Sequence, residues 1–317
     1  MTLPLFDPTP GFDRAGLGTK LRALSEQRIW IGTSSWKYGG WLDQIYSRDR
    51  YTVRGRFSQK RFEAECLAEY AEVFPAVCGD FSFYQFPAPE YWQRFFASAP
   101  GTLRFALKVP EEVTAEVFPA HARYGPRAGM KNPTYLDPEA LSTLFLEPLE
   151  PYRNRIGPLI LEFGTRSAPV HEFLQKLDGF LEALPANFRY AVEIRNPGYL
   201  GPDYFGCLRE HRVAHVFNSW NKMPPLAYQV SLHDAFTTDF IVVRALLRPG
   251  RSYEQAVDSF SPYKSVTDPY PEGRTALHDL IRRMKEERRS AYVFVNNRFE
   301  GNAPETIQAI VSDESGE

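Results

Sequence analysis

The 317-residue sequence predicts an α/β fold, a closed (β/α)8 barrel of the TIM type with extended βα loops and an N-terminal arm. Three observations carry the prediction. Eight short apolar runs, rich in β-branched and aromatic residues, are spaced along the chain. Helical periodicity fills several of the gaps between them. The length exceeds the roughly 250 residues typical of such a barrel, and three long connections absorb the excess.

The runs are IWIGTS (29–34), FSFY (81–84), RFALK (104–108), LILEF (159–163), YAVEIR (190–195), AHVFN (214–218), FIVVR (240–244) and AYVFVN (291–296). Most are nearly continuous hydrophobic stretches, the pattern of parallel strands covered on both faces. Between them, Phe62, Cys66, Leu67, Tyr70 and Phe74 recur at spacings of three and four. The same spacing joins Val170, Phe173, Leu174, Leu177, Leu181 and Leu184, and again Leu277, Leu280, Ile281 and Met284. Asn302, followed by Pro304 and Glu305, reads as a capped helix start. Strand alternating with helix builds parallel βαβ units. The count of eight favours closure, and no GxGxxG follows an early strand as a dinucleotide fold would require.

The long connections are 46–61, 116–135 and 248–274. All three are βα loops, on the face where barrels build their sites. Residues 1–28 read as a Pro/Gly-rich arm, packed outside the barrel or partly disordered. The barrel domain covers 29–312, and 313–317 form a tail.

A content of 43% hydrophobic and 15% aromatic residues excludes a largely disordered chain. With a net charge of -2, attraction to polyanions has to come from local clusters. Cys66, Cys78 and Cys207 show no CxxC or Cys/His ligand spacing and read as reduced thiols, two of them in core segments. The N-terminus lacks a leader pattern and no apolar run reaches spanning length, so a soluble, cytoplasmic chain with no membrane contact is expected. The six histidines, at 121, 171, 211, 215, 233 and 278, neither end strands nor show HxH or HExxH spacing. No metal and no cofactor is therefore expected. His121 is singled out as a mobile acid or base because it lies in a site loop.

The informative feature is what ends the strands. Lys108, Glu162, Glu193 with Arg195, Asn218, Arg244, and Asn296 with Asn297 all terminate apolar runs. Alternation puts Glu193 and Arg195 on one side of their strand, facing the barrel interior. An unpaired charge there costs several kcal/mol, so these groups must pair with each other or with a ligand. A closed salt-bridge network without a ligand is one reading. The other is a site, and three cations against two carboxylates suit a phosphate or carboxylate gripped by arginine. On that reading Lys108, Arg195 and Arg244 bind the anion and Glu193 orients it or acts as base. The hydroxyls of Thr33, Ser34 and Ser35 add hydrogen bonds, and Trp36, Tyr38, Trp41 and Tyr84 supply aromatic walls.

Two other readings stay open. Glu162 and Glu193 could serve a carbohydrate-active hydrolase as acid and nucleophile or base. The 46–61 loop interleaves Arg48, Arg50, Arg54, Arg56, Lys60 and Arg61 with Tyr46, Tyr51 and Phe57, a pattern that fits phosphates and stacked bases in a non-catalytic nucleic-acid-binding module. A solvated basic loop has the same composition. The RRMKEERR run at 282–289 has mixed signs and reads as a solvated helix face.

The motifs IGTSSWKYGGW, FSFYQFP, FALKVPEEVT, AVEIRNPGYL, FIVVR and VFVNNRFEGNAPETI occur in this order over residues 29–310. Together they resemble the YecE-like family, domain of unknown function 72 (DUF72), whose members are (β/α)8 barrels. The resemblance places Trp36, Tyr84, Lys108, Glu193, Arg195, Arg244, Asn296 and Asn297 on the family's characteristic positions. The chain departs from the pattern at several points. Cys78 stands where a glutamate is usual, Glu162 in place of a glutamine, Asn218 in place of an aspartate, and VRALLRPG lacks the family's histidine. The family brings no secure activity. The expectation is a barrel enzyme or enzyme-like protein, a metal-independent hydrolase or lyase if catalytic, with a small anionic substrate or a nucleic acid as partner.

Overall fold

The computed structural model describes residues 11–165 and 168–312. Seven of the eight predicted runs form strands of a closed parallel barrel. Its strands are β1 (Ile29–Thr33), β2 (Ala76–Gly79), β3 (Arg104–Lys108), β4 (Ile156–Phe163), β5 (Arg189–Ile194), β6 (Ala214–Ser219), β7 (Phe240–Ala245) and β8 (Ser290–Val295). Each pairs with its sequence neighbours, and β8 closes on β1.

The FSFY run is the exception. It is the turn after β2, and the second strand is the four-residue AVCG before it. The aromatic content of the run reflects loop packing. Phe81 lies against Trp92, Phe95 and Trp36 at 5.9, 4.7 and 6.0 Å between ring centroids, and the Ser82 hydroxyl donates to the Lys108 carbonyl at 2.7 Å.

The longer helices are α1 (Arg14–Glu26), α2 (Gln59–Tyr70), α3 (Pro89–Ser98), α4 (Val170–Glu182), α5 (Pro202–Glu210), α6 (Pro271–Glu286) and α7 (Ala303–Ser312). The three predicted helical periodicities fall on α2, α4 and α6, and Asn302 accepts from the Glu305 amide at 2.8 Å at the start of α7. Much of the N-terminal arm is a helix packed on the outside of the barrel. Asp13 caps α1 by accepting from the Gly16 amide at 2.9 Å, and Leu17, Leu21 and Leu24 enter the main core. Residues 1–10 and the 313–317 tail lie outside the described residues.

Period-two alternation divides the core in two. One set, Trp30, Ala76, Cys78, Ala106, Ile160, Ala191, Ala214, Val216, Phe240, Val242, Tyr292 and Phe294, packs inside the barrel. Alanines from β2, β3, β5 and β6 leave room for the rings of β1, β7 and β8, and Trp30 stacks on Tyr292 at 4.8 Å. The next inward positions up the strands are Asp80, Lys108, Glu162, Glu193, Asn218, Arg244 and Asn296, so the polar mouth follows from the same alternation.

The β1–β2 seam is thin, with two paired positions, Gly32 with Ala76 and Thr33 with Val77. A Cβ on Gly32 would lie 1.8 Å from the Ala76 carbonyl oxygen, which explains the glycine. The buried Tyr70 hydroxyl ties the seam. It donates to the Ala76 carbonyl at 2.9 Å, accepts from the Thr33 amide at 3.0 Å, and lies 2.9 Å from the Thr33 hydroxyl. Tyr70→Phe strands those buried groups and should lower stability by about 1–3 kcal/mol in a urea titration. An unchanged midpoint would mean that the hydroxyl is not what holds the seam.

Candidate functional site

Three cations and three carboxylates meet at the carboxyl ends of the strands. Glu193 on β5 is fully buried, with Oε1 2.6 Å from Arg195 Nη2 and Oε2 2.5 Å from Arg244 Nη1. Glu162 on β4 gathers all three cations on Oε2: Lys108 at 3.0 Å, Arg195 at 3.3 Å and Arg244 at 2.6 Å. Asp80, just beyond β2, lies 3.8 Å from Lys108 and 3.7 Å from Arg244. Asn218 on β6 takes Arg195 Nη1 on its side-chain oxygen at 3.3 Å and donates to the carbonyls of Ile194 and Val216. Arg195 also lies 4.1 Å from the Trp220 ring centroid, and Lys108 sits 3.4 Å from that of Phe83.

These contacts set the protonation states. Burial works to raise the Glu162 carboxyl, but Lys108, Arg195 and Arg244 outweigh it and hold the group well below the usual range. Burial likewise works against the charged form of Arg244, and Glu193 and Glu162 outweigh it. Beneath them, burial pushes the Cys78 thiol up to about 12, so it is a neutral filler of the barrel interior.

A cavity of about 450 Å³ opens onto Glu162 between the loops after β3 and β4, lined also by Phe83, Glu111, Thr114 and Thr165. Glu162 Oε1 takes no hydrogen bond among the described residues, and its side chain is 17% exposed. Burial raises the Glu111 carboxyl above its ordinary value, against the pull of Lys108 and Arg123, and the Tyr124 hydroxyl donates to it. A second cavity, of about 360 Å³, lies on the other side of Asp80 and is lined by Ser34, Trp36, Tyr38, Tyr84, Tyr253, Asn296 and Arg298. The buried hydroxyls of Thr114 in the first cavity and Ser34 in the second have no hydrogen-bond partner among the described residues.

The fold thus brings together Lys108, Glu162, Glu193, Arg195, Asn218 and Arg244, and places Trp36, Tyr84 and Asn296 in the adjoining cavity. Several expectations change. The cationic excess disappears, because Asp80 supplies a third carboxylate. The sequence reading missed Asp80 because it set the second strand five residues late. Glu193 holds two arginines and has no exposed atom, so it positions them and cannot meet a substrate as base, which also removes the Glu162/Glu193 hydrolase pair. Glu111, three residues past Lys108, was missed because it follows the strand end. Asn297 is turned into the packing, accepting from Trp41 Nε1 at 3.2 Å and the Ala303 amide at 2.8 Å, and Trp41 is fully buried. The Thr33 hydroxyl is held by Ser35 and Tyr70. His121 is exposed, and its Nδ1 accepts from the Arg123 amide at 3.1 Å.

The basic loop also differs from its expectation. Tyr46 and Tyr51 are buried, with the Tyr51 hydroxyl donating to Glu69 at 2.7 Å, so neither ring can stack on a base. Arg48 pairs with Asp43 and Arg50 with Glu72, while Arg54 and Arg56 belong to a small ribbon formed by Thr52–Val53 and Arg56–Phe57. Among the described residues, no helix is long and apolar enough to cross a membrane.

Comparison with known proteins agrees with this architecture. Residues 30–314 match the family model described as "Protein of unknown function DUF72". The UPF0759 protein YecE of Escherichia coli K12 is 27% identical over 175 residues, covering 54% of this chain and 50% of YecE, and its counterpart in strain O157:H7 matches equally. The chain thus spans about half the length of the curated relatives it matches. A DUF72 family protein of Enterococcus faecalis V583 superposes with a TM-score of 0.60 at 18% identity, over 91% of this chain and 98% of its own. One from Thermotoga maritima MSB8 gives 0.59 at 21%, over 91% and 99%. At such identities the likeness concerns the fold. With a closed eight-stranded barrel and a family match over nearly its whole length, this chain belongs to the DUF72 family of proteins of unknown function.

Proposed function

We propose that this chain is an acid–base enzyme of the hydrolase or lyase class, working at the mouth of the barrel on a ring-bearing substrate with an anionic group. The observation that carries the reading is the pair of carboxyls lining one cavity, Glu111 and Glu162, whose surroundings push them in opposite directions. Such divergence marks an acid and an ionised partner. Glu111 would donate a proton to the leaving atom. Glu162, kept charged by three cations, would turn its free oxygen towards water or an electron-poor carbon. Lys108, Arg195 and Arg244 are already paired, so they serve chiefly to hold Glu162 ionised.

The second cavity supports the choice of substrate. Trp36 and Tyr84 line it, and Lys37, Arg123 and Arg298 border it with no carboxylate ion pair among the described residues. An anionic substituent fits that rim better than the neutral cluster below it. A nucleic-acid-binding role for the 46–61 loop finds less support, since two of its three rings, Tyr46 and Tyr51, are buried.

The test is a panel of nitrophenyl glycosides, glycuronides, phosphates and esters. Turnover is expected for an acidic, ring-bearing member. Glu111→Gln should slow it by about 10²–10⁴-fold, and Glu162→Gln by at least as much. Activity needs Glu162 ionised and Glu111 protonated. The rate should therefore rise with pH through a value well below the ordinary 4.5 and fall through one above it. No turnover across the panel, or full activity in both variants, would overturn the reading.

A further inference from the structure

A second cluster of chemically capable side chains lies away from the barrel mouth, on the outer helices. Cys207, on α5, and His211, one residue past its end, are four positions apart and share a helix face. Asp178 reaches them from α4. His211 Nε2 is 2.7 Å from Asp178 Oδ1, Cys207 Sγ is 4.0 Å from the same oxygen, and one ligand atom from each residue lies within 4.8 Å of the others.

We propose that Asp178, Cys207 and His211 form a surface site for Zn²⁺ that bridges α4 and α5, with water completing a tetrahedron. The His211–Asp178 hydrogen bond explains those two residues by itself. It does not explain a thiol brought to the same carboxylate. Sulfur, imidazole nitrogen and carboxylate oxygen together are the donor set of zinc, and too soft a set for Ca²⁺ or Mg²⁺.

The geometry needs little change. Zn–S and Zn–N bonds of roughly 2.3 and 2.0 Å set tetrahedral donor separations of roughly 3.3–3.6 Å. The His–Asp contact would open and the Cys–Asp contact close, each by about half an ångström, and the Cys–His separation, within 4.8 Å, would close to the same spacing, all within reach of side-chain rotation. Asp178 is half exposed, so solvent and ion have access. Without a cation, burial together with Asp178 and Glu210 pushes the Cys207 thiol up to about 11. Binding therefore converts a neutral thiol and Zn²⁺ into a thiolate–zinc bond and releases one proton to solvent. Cys66 and Cys78 are fully buried and cannot contribute.

Chelator-stripped full-length protein should be titrated with Co²⁺. The expected result is a near-ultraviolet thiolate-to-cobalt band and tetrahedral visible bands, saturating at one ion per chain and bleached by one equivalent of Zn²⁺. Cys207→Ser should abolish the band. His211→Gln and Asp178→Asn should each weaken Co²⁺ binding at least tenfold. In wild type alone, saturating Zn²⁺ should raise the melting temperature by about 5 °C or more. No band in wild type, a band surviving Cys207→Ser, or affinity indifferent to His211→Gln would overturn the proposal. The metal-free melting temperature of each variant reports folding separately from binding. Turnover at the barrel mouth plays no part in the readout, so this proposal and the hydrolase reading stand or fall independently.

Discussion

Replacing Arg244 by methionine is expected to remove about 3–5 kcal/mol of folding stability, because it leaves a buried carboxylate short of its partner. Arg244 is 2% exposed and Glu193 wholly buried, and the guanidinium reaches Glu162 as well. The loss comes from the stranded charge more than from a missing attraction, which a second substitution can show. Adding Glu193→Leu reduces the cluster to two cations, Lys108 and Arg195, and two carboxylates, Asp80 and Glu162. That balance should restore more than half of the lost stability. The linkage has a definite sign. The depressed Glu162 contributes stability that is complete above its unfolded value and disappears as pH falls through its folded one. In the single variant the deficit should shrink on acidification, as protonation neutralises the unpaired carboxylates. Guanidinium titrations at neutral and acid pH measure both. A loss below about 1 kcal/mol, or no recovery in the double variant, would contradict this account of the cluster.

The second large effect is expected at Trp92. Its ring is fully buried on α3 and meets Phe81, Tyr91, Phe95, Phe96 and Phe145 at centroid separations of 5.5–6.4 Å. Trp92→Ala should lower stability by about 3–5 kcal/mol, through lost transfer energy and the cavity left behind. The indole N–H has no acceptor among the described residues. Trp92→Phe therefore forfeits ring volume without breaking a hydrogen bond, and should retain well over half of that stability. Equal losses in the two variants would point to a polar role that the packing does not show. Because Phe81 rests on Trp92 and also meets Trp36, loosening this stack should disturb the aromatic cavity next to Asp80.

The same stack explains one limit of reading this fold from sequence. Phe81 and Phe83 have strong β-propensity, yet they are aromatic because a turn packs there against Trp92 and beneath Lys108. The true strand, AVCG, is too short and too bland to stand out. Displacing that strand hid Asp80, and with it the charge balance of the mouth. Lys108, Glu162, Glu193, Arg195 and Arg244 were legible because inward alternation continues past the apolar part of each strand. Which of them can meet a ligand was not legible. That depends on how far each sits below the rim, and the sequence does not distinguish Glu193 from Glu162. Glu111 opens a short helical turn, Glu111–Thr114, beyond the strand end and acquires its character from burial beside Tyr124. Asp178 meets Cys207 and His211 only after two helices pack together, so no spacing rule reveals the cluster.

The β1–β2 seam gives the mouth two halves of unequal stiffness. Six paired positions join β4 to β5 beneath Glu162, whereas two join β1 to β2. Ser34 and Trp36 hang from the end of β1 and Asp80 from the end of β2, so the walls of the aromatic cavity stand on opposite banks of one of the barrel's two thinnest joints, the other being β5–β6. Local opening concentrates where the fewest bonds must break. Breathing at that joint changes the width of the cavity that would receive a ring, while the six-position β4–β5 pairing holds Glu162 in place: a gate at one point of the rim and an anvil at another.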